Sequence, residues 1–423
     1  MYDVFSLPEF AFPKGFLWGS ATAGHQIEGN NTHSQCWAYE QSNPKIEASG
    51  MACNHYELYK DDIALIKELG HQAYRMSVEW SRIEPSEGKF NMEAVQHYLD
   101  ELQLLKEAGL YVLVTLHHGA HPLWFEEQGA FSQLENLRYF ERYLNFIVPK
   151  LSPFVDNWHT INEPNLGWPW SDERAITKAN YMKFHARAYH LIKQYSKAPV
   201  SYSHAFVHYM PSRRYNPYDN LMTNLKDFLH HEWFFHAIRT GELLSLSANA
   251  EYVGELKDSV DYWGVNFYTR HMVDMRTNPA DAPRIKHKEL KMICKDFYLE
   301  EMFPEGLTAN LERLADRPVY ITENGCSCDD DRFRIVYIAL HLSALRDAID
   351  RGVDVRGYFY WSLMDNYEWE SFIPRFGLVD VDFQTFKRTP KPSAWFYKDI
   401  IAQNGYSPEI LRRYLHKLPT LAQ

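Results

Sequence analysis

Two glutamates stand in settings where carboxylates can do chemistry. Glu163 lies in Thr160-Ile-Asn-Glu-Pro164 and Glu323 in Tyr320-Ile-Thr-Glu-Asn-Gly325. Each closes a short apolar run and each adjoins an asparagine. Far apart in the chain, they can meet only if a fold brings them together. Two opposed carboxyls of unequal proton affinity are what cleavage of a glycosidic bond requires. One donates a proton to the leaving oxygen while the other attacks the anomeric carbon. The bland alternative is that each is a strand-end carboxylate paired with a Lys or Arg, which is the commoner fate of a lone buried glutamate.

The surrounding elements decide between these readings. Eight apolar runs ending in polar residues recur along the chain, at Gly15–Thr22, Gln72–Val78, Tyr111–His118, Val155–Glu163, Val200–Phe206, Tyr262–Thr269, Val319–Glu323 and Arg356–Leu363. Amphipathic stretches separate most of them. The spacing predicts helices over Asn54–Leu69 and Asn91–Ala108, stopped by Gly70 and Gly109. It predicts others over Leu134–Val148, ending before Pro149, and over Asp331–Asp350. Short buried strands alternating with helices mean a parallel sheet. Eight such units fit one closed α/β barrel, a single (β/α)8 TIM barrel over residues 1–423 with no internal boundary. An open doubly wound sheet is the alternative, weakened because no GxGxxG or GxxxxGK[ST] follows the first strand.

In such a barrel the site lies at the C-terminal ends of the strands. The polar residues there are Gln26 and Glu28, Arg75 and Glu79, His117 and His118, Asn162 and Glu163, Asn266 and Tyr268, Glu323 and Asn324, and Trp361. Strands four and seven face each other across the mouth, so Glu163 and Glu323 become an opposed pair. Two such glutamates favour chemistry over structural pairing.

Composition narrows the partners. A net charge of −11 disfavours nucleic acid and anionic membranes, which call for a basic face. Aromatic residues make up 15% of the chain, which suits a large core or a site that stacks rings on a sugar. No basic n-region with an apolar h-region opens the sequence, and no window is long and apolar enough to span a membrane. Five cysteines with no visible secretory signal suggest reduced thiols and a cytoplasmic location. Cys326-Ser-Cys328 reads as free thiols rather than as metal ligands.

The order of its motifs makes the chain similar to glycoside hydrolase family 1, the β-glucosidase family. The likeness runs from Phe16-Leu-Trp-Gly-Ser-Ala-Thr-Ala23 to Pro392-Ser-Ala-Trp-Phe-Tyr397. Between them come Gln26-Ile-Glu-Gly29, Tyr74-Arg-Met-Ser-Val-Glu-Trp-Ser-Arg-Ile83, Thr115-Leu-His-His118, Ile161-Asn-Glu-Pro164, Ile321-Thr-Glu-Asn-Gly325 and Tyr360-Trp-Ser-Leu-Met-Asp-Asn-Tyr-Glu-Trp369. The resemblance implies that Glu163 is the acid/base and Glu323 the nucleophile. It implies that Asn162 holds the sugar 2-hydroxyl and that Gln26, His118 and Glu368 bind outer hydroxyls. Trp361 would form a stacking floor, Trp369 would add an indole N–H, and Asn266 would belong to the substrate-binding set. Arg75 and Tyr268 would touch the nucleophile.

Plainer readings exist for several of these. Trp361 taken alone could be core, and Arg75 alone could be a structural ion-pair partner. His117-His118 could be zinc ligands, but neighbours on a strand point to opposite faces and no HExxH accompanies them. One of the two should face the barrel, and the resemblance selects His118. Glu368 sits between aromatics, and a carboxylate there opposes a 6-phosphate substrate by like-charge repulsion.

The sequence also departs from the family. After His118 many relatives carry Trp-Asp-Leu-Pro, where this chain has Gly119-Ala-His-Pro122. That removes a wall at the outer glycone edge, which His121 could refill. Glu370-Ser371 replaces the usual Gly-Tyr after the Glu-Trp pair, and the stretches after Asn165 and Thr269 look short.

The expectation is a cofactor-free, metal-free retaining exo-β-glycosidase of neutral β-D-sugars, glucosides first, then galactosides or fucosides. Its partner would be a small glycoside or oligosaccharide, with no nucleic acid and no membrane; a homo-oligomer is left open. Transglycosylation at the same site is one rival. A non-catalytic sugar-binding or adaptor protein on the same fold is another, and it would be expected to have lost one glutamate.

Overall fold

The computed structural model describes residues 3–166, 175–245, 250–276, 291–294 and 298–419. Eight parallel strands close into a barrel. They are β1 (Leu17–Ala21), β2 (Ala73–Ser77), β3 (Tyr111–Thr115), β4 (Asn157–Asn162), β5 (Val200–Pro211), β6 (Trp263–Val273), β7 (Val319–Asn324) and β8 (Val355–Trp361). β8 closes the ring on β1, with Gly357 opposite Leu17 and Trp361 opposite Ala21. All eight fall on the expected runs. β5 and β6 continue as a paired ribbon to Pro211 opposite Val273.

Helices follow the strands: α1 (His55–Glu68), α2 (Met92–Glu107), α3 (Leu137–Leu151), α4 (Ala175–Tyr195), α5 (Trp233–Thr240), α6 (Pro304–Leu311), α7 (Asp331–Asp350) and α8 (Pro392–Gln403). The side chain of Asn91 caps α2 by accepting from the amides of Glu93 and Ala94. Asp330 caps α7 in the same way. The third helix differs from expectation. It runs through Pro149 to Leu151, while Leu134–Asn136 form a separate 3-10 turn. A proline in the last turn forfeits one backbone bond, and the burial of Tyr143, Leu144, Ile147, Val148 and Leu151 outweighs that loss.

Strand alternation sorts the side chains. In β2, Tyr74 and Met76 join the layer between barrel and helices, whereas Ala73 packs inside with Leu113 and Tyr262. Arg75 shares Ala73's phase and is therefore directed inward. Much of the aromatic excess is core, since Trp18, Trp80, Trp158, Trp233 and Trp263 are fully buried. The cysteines Cys36, Cys53, Cys326 and Cys328 are buried and are not joined in disulfides. Among the described residues no helix is long and apolar enough to cross a membrane.

Candidate active site

The inward phase of β2 places the Arg75 guanidinium inside the barrel with no solvent exposure. Its Nη1 donates to Glu323 Oε1 at 2.5 Å and to the Thr322 carbonyl at 3.1 Å. Its Nη2 donates to Asn162 Oδ1 at 2.6 Å and to Ser203 Oγ at 3.2 Å. The other oxygen of Glu323 accepts from the Tyr268 hydroxyl at 2.6 Å. Both oxygens of this carboxylate thus meet donors, and one of the donors is a permanent cation.

Glu163 has a different environment. Its Oε1 accepts from Asn266 Nδ2 at 2.8 Å, and Thr322 Oγ1 holds the other end of that amide at 2.7 Å. Burial raises its pKa to about 8, and the charge of Glu323 adds to the effect. Its backbone is left-handed, with φ +52°. This solves a positional problem. Asn162 and Glu163 are adjacent, and regular strand alternation would send them to opposite faces. Leaving the strand conformation at Glu163 lets both serve the mouth. On β7 a register shift between Ile321 and Glu323 does the equivalent, so that Thr322 and Glu323 both meet inward partners.

An outer ring of groups surrounds the pair. Gln26 Nε2 donates to Asn366 Oδ1, the Tyr367 carbonyl and Glu368 Oε2. Trp361 Nε1 donates to Glu368 Oε1 at 3.2 Å. Asn162 Nδ2 donates to His118 Nε2 at 3.1 Å. The His118 ring lies nearly parallel to Trp361 and to Trp369, at 20° to both. Glu368, Glu163 and Glu323 are 7%, 9% and 4% exposed. Burial also raises the Glu368 pKa to about 8. A raised proton affinity there weakens the expected repulsion of a 6-phosphate. The side chains bonded to it include Gln26, Trp361 and Asn366, none of them a cation that would receive a phosphate.

The structure gathers Gln26, Arg75, His118, Asn162, Glu163, Asn266, Tyr268, Glu323, Trp361, Glu368 and Trp369 at the C-terminal end of the barrel. His117 turns the other way, against Phe131 and His121. His121 is buried as well. It is held by His117 and by Glu126, whose carboxylate lies 2.8 Å from its Nε2. Among the described residues no cluster of three or more potential metal ligands occurs. Asn324 is spent outside the mouth, on the Phe267 carbonyl and on the Tyr337 and Tyr358 hydroxyls. The stretches after Asn165 and Thr269 lie partly outside the described residues.

Sequence reasoning passed over Ser203 and Thr322, which hold Asn162 and Asn266. Their only signal was the inward phase of small polar residues on two strands. It also left Glu28 and Glu79 without a role. Glu79 accepts from the His25 amide and from Asn31 Nδ2, and Glu28 is paired with Arg82. Burial, aided by the charge of Glu28, raises the Glu79 pKa to about 8.

A closed parallel barrel with a cation-held carboxylate and a desolvated carboxylic acid at its mouth is the architecture of a barrel glycosidase. Comparison with known proteins gives the particular family. The sequence profile of Glycosyl hydrolase family 1 matches residues 9–406. β-Glucosidase A of Thermotoga maritima is 30% identical over 93% of this chain and 98% of its own. A β-galactosidase of Sulfolobus acidocaldarius is 30% identical over 97% of this chain and 99% of its own. The solved structure of a β-glycosidase from Pyrococcus horikoshii superposes with a TM-score of 0.85 and 38% identity, covering 96% of this chain and 98% of that one. The chain belongs to glycosyl hydrolase family 1 and is an O-glycosidase.

Proposed function

We propose that the protein is a retaining exo-β-glycosidase acting on neutral β-D-glycosides, with glucosides ahead of galactosides and fucosides. The observation that carries this reading is the inequality of the two carboxyls. Glu323 is bonded to Arg75 and Tyr268. Glu163 has one amide donor and a pKa of about 8. In the first step Glu163 gives its proton to the glycosidic oxygen as the C–O bond breaks. The Glu323 carboxylate attacks the anomeric carbon from the opposite face and forms a glycosyl ester. In the second step Glu163, now ionised, takes a proton from water, and the resulting nucleophile breaks the ester with net retention. Asn162 holds the 2-hydroxyl in this reading, where a hydrogen bond strengthens as positive charge develops on the ring. The chemistry needs no metal or cofactor.

The names of the relatives, glucosidase and galactosidase, support both glycones. A sugar acceptor replacing water in the second step would make the same site a transglycosylase. The test is a panel of nitrophenyl β-glucoside, galactoside, fucoside, mannoside, xyloside and glucoside-6-phosphate, with Glu323→Ala as control. Turnover of a neutral β-glycoside that vanishes in the variant is the expected result. A folded protein that turns over none of them overturns the reading.

A further inference from the structure

The outer wall of the site is a column of four aromatic rings. Trp361, His118 and Trp369 are its inner members, and the fourth is His25, whose ring is 8° from parallel to Trp369 with centroids 6.0 Å apart. His25 is completely buried and belongs to the short helix Gly24–Ile27 just after β1. Three groups fix it. Its Nε2 meets Glu40 Oε1 at 2.8 Å, its Nδ1 meets Asn31 Nδ2 at 3.2 Å, and its amide donates to Glu79 Oε1 at 3.2 Å. Asn31 Nδ2 can only donate, so Nδ1 accepts from it and the Nε2–H donates to Glu40. Glu40 is itself immobilised, because its other oxygen accepts from the Ser49 amide and hydroxyl at 2.9 Å and 2.6 Å.

The same segment grips the backbone that carries Trp369. Glu47 Oε2 accepts from the Ser371 hydroxyl and the Phe372 amide at 2.8 Å and 2.7 Å. The Glu47 amide donates to the Glu370 carbonyl, and the Tyr367 hydroxyl donates to the Glu47 carbonyl. Trp369 and Glu370 are both left-handed, at φ +39° and +82°. A turn of that kind holds one geometry only when its surroundings dictate it. Backbone and ring are thus set from outside the barrel by residues 25–47.

We propose that His25, locked by Glu40, is a positioning residue that determines glycone specificity by fixing the Trp369 indole against His118. The proposal rests on the reading of Trp369 as a group that touches the sugar. His25 touches no reacting atom, so its loss should loosen recognition of the outer hydroxyls and leave bond cleavage intact.

The test compares His25→Ala, His25→Phe and Glu40→Gln with the native enzyme on nitrophenyl β-glucoside and β-galactoside, which differ only at one outer hydroxyl. In His25→Ala, KM is expected to rise about tenfold for both glycosides with kcat within about twofold, and the glucoside-to-galactoside ratio of kcat/KM to move by at least about threefold. Glu40→Gln, which keeps an oxygen facing His25, should show a smaller shift in the same direction, and serves if His25→Ala fails to fold. His25→Phe, which restores a ring, should recover much of the loss. Unchanged KM and unchanged ratio overturn the proposal. So does a fall in kcat alone that tracks the folded fraction, which is what a merely structural role would give. A native enzyme silent on both glycosides overturns this proposal together with the ranking of glucosides and galactosides in the parent reading. An active native enzyme with indifferent variants overturns this proposal alone.

Discussion

Arg75 Nη2 lies 2.6 Å from Asn162 Oδ1, and that contact fixes which way the Asn162 amide faces. A guanidinium can only donate, so the atom it meets is the oxygen. Ser203 Oγ donates to the same oxygen at 2.6 Å. The Asn162 nitrogen is thereby turned toward His118 and the outer ring. Through Arg75, one strand sets the orientation of a binding amide on β4 and the environment of a carboxylate on β7.

This double duty makes Arg75 costly to replace. Arg75→Met leaves Glu323 buried beside Tyr268 without its cation. Breaking a buried pair of this kind destabilises by about 3–5 kcal/mol. The expected result is that loss in urea unfolding, with kcat/KM reduced by roughly a thousandfold. Arg75→Lys should recover little activity, because an ammonium cannot reproduce a planar fork that serves two strands.

Removing the acid should show in leaving groups and in pH. In the native enzyme kcat/KM for an alkyl glycoside is expected to fall above pH about 8, since only protonated Glu163 can donate and the free enzyme's pKa governs this limb. Glu163→Ala should slow alkyl glycosides by about two to four orders of magnitude while nitrophenyl glycosides keep much of their glycosylation rate. The alkaline limb should vanish from the variant's profile. Equal slowing of both substrate kinds would refute the assignment.

Glu323→Ala should abolish turnover of every glycoside, a loss of at least about four orders of magnitude. Azide admitted to the vacated space should restore cleavage and yield the α-glycosyl azide. Product analysis by NMR decides this, and a β-linked azide would contradict the proposed attack.

Gly325 lies two residues after the nucleophile, just past the end of β7 and against the end of β8. A methyl group placed there would sit 1.8 Å from the Trp361 carbonyl oxygen, which is backbone and cannot swing away. Gly325→Ala is expected to lower stability by at least about 1–3 kcal/mol and to displace Glu323 from Arg75. Urea unfolding and kcat measured on the same sample would show both effects together.

The barrel was legible because its strands are short, apolar and separated by amphipathic helices, so a periodicity that changes from strand to helix marks every unit. The opposed glutamates followed from the rule that places chemistry at strand ends. His117 and His118 obey simple alternation, one outward and one inward. Asn162 and Glu163 do not, and the left-handed backbone at Glu163, with a register shift between His159 and Asn162, lets adjacent residues share a site. Ser203 and Thr322 carried no signal beyond their phase, since small polar residues inside a barrel are seen to matter only when a partner from another strand arrives. The contact between His25 and Glu40 depends on how the loop after β1 folds back on itself. The continuation of α3 past Pro149 depends on burial that local propensity does not record.

The three carboxyls held near pKa 8, at Glu79, Glu163 and Glu368, have a consequence for the solution around the molecule. His55, clasped by Asp62 and Glu101, is raised to about 10 and so also keeps its proton at pH 7. In the unfolded chain all four would revert toward ordinary values and let their protons go. These groups favour the fold most at low pH, and the carboxyls' share is lost as pH rises from about 4.5 toward 8. At neutral pH these groups release protons on unfolding, while histidines held neutral by burial, His71, His117, His118, His159 and His185 among them, take some up, so the apparent heat of unfolding will depend on the buffer.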